Sequence, residues 1–362
     1  WPSSSFNLVY KQSSDNIPEW EGRLEFLRIQ DLNALLISNT ALGSKVRGLV
    51  ATLEPQGDLY DIAFRFKDRN DDQTSRYYFK AQFEDLAINK WENVPEVSGF
   101  DGDLLFNNEK GLLHLSSREA LVDFGTLFRS PLLFDELSGK MYWRRTEGGV
   151  LIESDHMVAT NQDVKTESRF TLLLPEEGGS PFLNLRGFFE GGDVEQAYHY
   201  LPVRIMRPGL VSWLDHALVG GRIRSGGVLV HGQLSDFPFD SDKGVFDVRF
   251  TVEDTILQYG ETWPRAEELS AEILFRGRSF RAEIGEAKIY DMDVLPTTVS
   301  IDDMTVNPNL ELGLEVSGTT PELLRFLKES PAGGDYKSIL NKMESGGDAR
   351  LSLDMNLPIF DR

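Results

Sequence analysis

The sequence predicts a mainly β protein: a long antiparallel sheet with a few short helices, built from repeated modules that each carry a helix pair. Three observations predict it. Most of the chain alternates apolar and polar residues with a period of two, the mark of strands with one buried and one wet face. The alternating segments recur at roughly 8 to 15 residues with Gly, Asn and Pro at the breaks, as in an antiparallel meander. Helical periodicity is confined to a few places, and its two clearest instances are copies of one another.

In chain order, a leading segment, residues 1–92, holds strand patterns at 59–68 (LYDIAFRFKD) and 78–88 (YFKAQFEDLAI). A first module, 93–240, adds 112–117 (LLHLSS), 148–154 (GGVLIES) and 168–175 (SRFTLLLP), then a helix pair. The boundary is drawn in 237–245, FPFDSDKGV, where Pro, Gly and charge cluster. The second module, 241–362, opens on GVFDVRFTVED, where Phe246, Val248, Phe250 and Val252 share one face. Residues 271–285 read as a hairpin turning at Arg276-Gly277-Arg278, with Ile273 and Phe275 on one arm and Ile284 on the other. Strands at 310–318 (LELGLEVSG) and 349–357 (ARLSLDMNL) flank the second helix pair.

The two helix pairs repeat at a fixed offset of 126 positions, Trp213 matching Ile339. At that offset Leu214 meets Leu340, Ala217 meets Met343, Gly220-Gly221 meets Gly346-Gly347, and Arg224 meets Arg350. Asp193 with Gln196, and Thr319 with Glu322, have the spacing of capping boxes. The paired glycines are expected to close the last helical turn in a left-handed conformation.

Composition excludes several functions. The net charge is −21, with 58 acidic against 37 basic residues. Nucleic acid is therefore not an expected partner, since phosphate backbones are bound by clustered Lys and Arg. The absence of Cys removes disulfides, thiolate zinc sites and cysteine nucleophiles. No apolar run approaches the roughly 20 residues that cross a bilayer.

No motif points to a catalytic centre, a metal or a cofactor. None of the five histidines, at 114, 156, 199, 216 and 231, has metal-ligand spacing to another. His216 follows Asp215, but adjacent helix residues do not face each other. DSDKG, residues 240–244, resembles the start of a calcium loop. Its twelfth position is Thr251, where the bidentate Glu should stand. Asp291, Asp293, Asp302 and Asp303 could supply a carboxylate pair for glycoside hydrolysis, but so acidic a chain makes many accidental pairs. The glycine runs lack the phosphate-loop and dinucleotide patterns.

What is left is the apolar face. A long antiparallel sheet with one apolar face folds on itself, packs on a second sheet or encloses an apolar ligand; periodicity alone does not choose. Residues 213–240, WLDHALVGGRIRSGGVLVHGQLSDFPFD, and 244–277, GVFDVRFTVEDTILQYGETWPRAEELSAEILFRG, do more. Their W-L-D helix, Gly-Gly exit, D-F-P-F and later Y-x-x-x-W-P together resemble the YhdP branch of the AsmA-like proteins over residues 190–330.

That resemblance implies a strongly curled, groove-like sheet in the periplasm, the intact protein being anchored in the inner membrane of a Gram-negative envelope. It implies a non-enzymatic bridge carrying phospholipids between inner and outer membrane, with this chain an interior or processed piece. The acyl chains would be the ligand, with contacts to the two membranes made by parts absent from this chain. The groove lining is then expected at Phe246, Val248, Phe250 and Val252; at Ile273, Phe275 and Ile284; and at Leu310, Leu312, Leu314 and Val316. A scaffold binding envelope protein partners through its sheet edges is the structural alternative, and a carbohydrate hydrolase the enzymatic one.

Overall fold

The computed structural model describes residues 2, 4–12, 17–38, 44–67, 76–91, 94–125, 127–176, 178–239, 243–306, 308–343 and 345–358. The chain divides into two compact units. One comprises Trp1–Gln162 and Thr166–Leu183, the other Asp163–Lys165 and Asn184–Arg362. Among the described residues there are eighteen strands and a few short helices, so the chain is mainly β, and every pairing below is antiparallel.

The first unit is a meander of β1 (Phe6–Gln12), β2 (Pro18–Arg28), β3 (Gln56–Lys67), β4 (Arg76–Ile88), β5 (Glu96–Asn107), β6 (Lys110–Asp123), β7 (Leu132–Thr146) and β8 (Gly149–Thr160). Each pairs with its sequence neighbour. β9 (Lys165–Pro175) follows, and the Thr166 hydroxyl donates to the Ala159 carbonyl at 3.1 Å. Helices α1 (Ile29–Ser38) and α2 (Ser44–Leu53) stand between β2 and β3. They were not picked out from the sequence, although Val46, Leu49, Val50 and Leu53 keep helical spacing.

The second unit runs β10 (Phe182–Glu190), a 3-10 turn Val194–His199, α3 (Pro208–Ala217), β11 (Leu218–Gln233), β12 (Val245–Leu257), β13 (Ala266–Arg276) and β14 (Ser279–Ile289). β15 (Met292–Val294) and β16 (Thr297–Ile301) both return along β14. They are one strand interrupted at Leu295-Pro296, where proline supplies no amide to the ladder. β17 (Asn309–Thr319), α4 (Thr320–Glu329), a 3-10 turn Pro331–Tyr336, α5 (Lys337–Leu340) and β18 (Asp348–Pro358) complete it.

The expected repeat is present in the strands and altered in the helices. Asp193 bridges Arg222, and 126 positions later Thr319 pairs with Asp348. Arg28 and Asp58 in the first unit make a third connection of nearly the same length. A glycine of positive φ precedes the second partner each time: Gly57 at 127°, Gly221 at 121° and Gly347 at 95°. The helices inside the later two connections do not match. The first has a 3-10 turn and then α3; the second has α4 and then a broken 3-10 turn with only α5 beyond it. Pro208 starts α3 at a favoured helix position. The equivalent Gly334 has φ 45° and ψ −135°, outside any helix.

Two local expectations fail. Neither Asp193 nor Thr319 caps its helix through a side chain; the Thr319 hydroxyl instead donates to the Glu322 carboxylate at 3.0 Å. Gly220 and Gly221 do not end α3, whose C-cap is Leu218. They lie inside β11 at an irregularity of its register with β12. A Cβ on Gly221 would stand 2.5 Å from the Thr255 Cα. Glycine is there because the strands approach closely at a bulge, not to finish a helix.

Candidate functional site

Directly opposed residues in an antiparallel pair share a face, so the registers trace apolar rows across the strands. In the second unit one row runs Val228, Val248, Phe275, Phe280, Ile301. The next runs Gly226, Phe250, Ile273, Ala282, Val299, Leu312, Met355. A third takes Ile223, Val252, Ala271 and Ile284, and Leu314 faces Leu353. The eleven residues expected from the sequence thus lie on strands whose apolar sides join into one face.

Burial divides that face. Val252, Leu314 and Val316 are buried in a core with Leu269, Ala287, Met292, Val294 and Phe326 of α4. Phe250, Ile273, Ile284 and Leu312 are partly buried against this core. Phe246, Val248, Phe275 and Leu310 lie outside it, half-buried. The helical end is floored by protein side chains; at the hairpin end Phe239 and Ile301 are buried and the exposed Phe237 ring stands 5.0 Å from Phe246, which leaves Phe246, Val248 and Phe275 half-buried. Phe250 stacks on Phe275 with centroids 6.5 Å apart, and Phe275 meets Phe280 at 5.1 Å. The less covered part is therefore aromatic.

The opposite face is charged. Asp247 takes two bonds from the Arg276 guanidinium, at 3.1 and 3.3 Å, and Arg224 and Glu253 pair at 3.0 Å. Arg249 bonds the Glu272 carboxylate and holds it below its usual range.

The first unit has a comparable face that sequence reasoning missed. One row runs Gly22, Phe64, Phe79, Phe106, Gly111, Trp143, Ile152. Beside it Ala81, Leu104, Leu113 and Met141 stand in register. Its buried centre is Phe83, Leu115, Ala120 and Leu137. The signal was available, since Phe79, Ala81 and Phe83 alternate like Phe246, Val248 and Phe250.

Two other sequence candidates, Asp303 and His216, are engaged elsewhere. Asp303 accepts from the Thr305 hydroxyl and amide, both at 2.6 Å. Those bonds, the hydroxyl's first, hold it below the usual carboxylate range, the wrong direction for a proton donor. The His216 ring lies 2.7 Å from the Ser212 carbonyl one turn back. The loop at 240–244 falls mostly outside the described residues. Among those residues no group of three or more His, Asp or Glu could hold a metal ion, and no helix is long and apolar enough to cross a membrane.

These features define an antiparallel β-sheet protein whose two units each carry an apolar face, that of the second unit being backed by a charged face and only partly covered by its own helix. A family model described as YhdP protein matches residues 1–362, and the chain belongs to the YhdP family. Over 366 aligned residues it is 22% identical to the intermembrane phospholipid transporter YhdP of Escherichia coli (strain K12). That alignment covers 99% of this chain and 28% of the relative, so the chain spans about a quarter of the protein it matches. No solved structure matches it.

Proposed function

We propose that the chain is a periplasmic segment of a non-enzymatic lipid-transfer bridge, carrying phospholipid acyl chains along its apolar faces between inner and outer membrane. The observation that carries this is the unbroken row from Gly226 to Met355, apolar at every strand it crosses. An acyl chain gains about 0.8 kcal/mol per buried methylene, so sixteen carbons gain on the order of 12 kcal/mol gross from such a surface. No headgroup pocket is required. Rows of similar, shallow contacts suit a ligand that must move on, since one deep pocket would hold it.

The relative's function, intermembrane phospholipid transport, supports the cargo. A curled apolar groove within each unit is the shape this function asks for. Anchoring of the intact protein in the inner membrane and contacts with envelope proteins belong to the same proposal.

The test is photo-crosslinking. A benzoylphenylalanine at Phe275 should capture co-purifying phospholipid, and one at exposed Glu311 on the charged side should not. Mass spectrometry of the adducts reads the result. Equal capture at both positions, or none at Phe275, would sink the reading.

A further inference from the structure

The connection between β10 and β11 contacts a loop that its position in the sheet should keep out of reach. The Arg207 guanidinium donates to the Thr305 carbonyl. Arg207 immediately precedes α3, whose other end joins β11 at Leu218. Thr305 follows β16, which is reached from β11 through β12, β13 and β14. At about 4.8 Å between neighbours, four spacings put these strands roughly 19 Å apart.

The two segments also leave the sheet at opposite ends. α3 enters β11 where Leu218 pairs with Leu257. Ile301, at the end of β16, pairs with Phe280 beside the β13–β14 turn. Through Phe280 and Phe275, Ile301 is level with Val248, nine positions along β12 from Leu257, about 30 Å at roughly 3.3 Å each. The ten residues of α3 cover only about 15 Å. The loop after β16 stays at its own margin, where the Met304 amide donates to the Arg278 carbonyl at 2.8 Å and Arg278 pairs with Asp303 at 3.7 Å, so the arm that carries Arg207 must cross the sheet to reach it.

That arm crosses on the apolar side. Val194, in the same connection as Arg207, is buried among Val252, Leu314 and Phe326. The Trp213 indole of α3 donates to the Tyr259 carbonyl at 3.2 Å, and Tyr259 and Trp263 pack against that same core. Next to the contact, Ile205 and Val306 are 57% and 60% exposed. Two uncovered apolar side chains, one from the arm and one from the loop, flank the place where they meet.

We propose that α3 and the segment leading to it form a strap across the apolar face of the second unit, latched by Arg207 on Thr305 in the 302–306 loop, under which an acyl chain passes. The proposal rests on the lipid-carrier reading and adds a gate to it. With the strap closed, a lipid tail reaches the covered stretch only from its ends. With it open, a tail enters from the side, and Ile205 and Val306 give it apolar contact on the way in.

The chain has no Cys, so the double variant Arg207→Cys/Thr305→Cys can be bridged by a short bis-maleimide at those two positions alone. Phosphatidylcholine vesicles doped with a fluorescent phospholipid supply the cargo. The bridge should form within one molecule and slow both uptake and release. Arg207→Ala should speed both by about twofold to fivefold, the scale of an exposed charged contact. Failure of the intramolecular bridge overturns the strap without reference to lipid. Uptake at one rate in the bridged, unbridged and Arg207→Ala forms overturns the gate while leaving the carrier reading intact. No uptake in any form overturns both.

Discussion

The Trp143 indole fills the space that a side chain on Gly111, its partner across β6 and β7, would occupy: an added Cβ would stand 2.0 Å from Trp143 Cζ2. Gly22 stands in the same relation to Phe64, at 2.2 Å from Cζ. Such pairs let a large ring pack against the sheet where two ordinary side chains would collide. In the aromatic row of the first unit, the missing Cβ is what keeps the Trp143 ring in line with Phe106, 6.4 Å away.

Gly111→Ala should therefore destabilise the first unit by about 1 to 3 kcal/mol, the usual cost of overpacking. Urea unfolding measures it. Combined with Trp143→Ala, most of that cost should vanish, because the clash has lost one partner. A full, additive penalty in the double variant would mean that the glycine serves the backbone and not the ring.

Gly221, the second glycine of the first Gly-Gly, and Gly346, the first glycine of its copy, should behave in opposite ways. At Gly221 φ is 121° and the obstructing atom is backbone, so Gly221→Ala must move β12 and should cost several kcal/mol, on the order of a core defect. A Cβ on Gly346 meets nothing within 4 Å, and Gly346→Ala should change stability by less than about 0.5 kcal/mol. Thermal unfolding of the two variants makes the comparison.

That contrast shows what the sequence could and could not disclose. Alternation at Phe246, Val248, Phe250 and Val252 was enough to place them on one face, because strand geometry fixes side from spacing. It could not say that Val252 is sealed while Val248 is not. The covering residue, Phe326, is 74 positions further on, and its contact is made by folding. Gly-Gly after a helical stripe reads as a helix cap because that is a local signal. The bulge that needs Gly221 depends on Thr255 in another strand. α1 and α2 lie in the third connection, whose sequence differs from the two copies related by 126 positions, so the repeat carries no signal for them.

The division of the apolar face predicts separable variants. Val316→Asp puts a carboxylate where 1% of the residue is exposed, so it should unfold the second unit or cost more than about 3 kcal/mol. Phe275→Asp, at the half-buried hairpin end, should leave the circular dichroism spectrum and most of the stability in place while removing co-purifying phospholipid. Lipid retained at wild-type level by folded Phe275→Asp would argue that this part of the face does not meet cargo.

The covering helix is itself held by a titratable clasp. The Tyr290 hydroxyl donates to the Glu329 carboxylate at 2.5 Å. Arg325 pairs with Glu329 at 3.1 Å, and its guanidinium carbon stands 3.9 Å from the Tyr290 ring centre. The Tyr290 bond, then Arg325, holds the Glu329 carboxyl below its ordinary value of 4.5. Burial, then the bond to Glu329, pushes the Tyr290 hydroxyl up to about 12 from 10.0. The two signs are opposite. A lowered carboxyl stabilises the folded state above pH 4.5 and loses that contribution as pH falls through its folded value. A raised hydroxyl contributes below pH 10 and loses its share as pH climbs toward 12. The clasp should thus be intact between about pH 5 and 10 and loosen on both sides. Hydrogen exchange of the α4 amides across that range should show a plateau with two flanks. Tyr290→Phe should abolish the alkaline flank, and Glu329→Gln the acid one. An α4 exchange profile that Glu329→Gln leaves unchanged below pH 5 would show that the helix is held by Phe326 and its apolar neighbours alone.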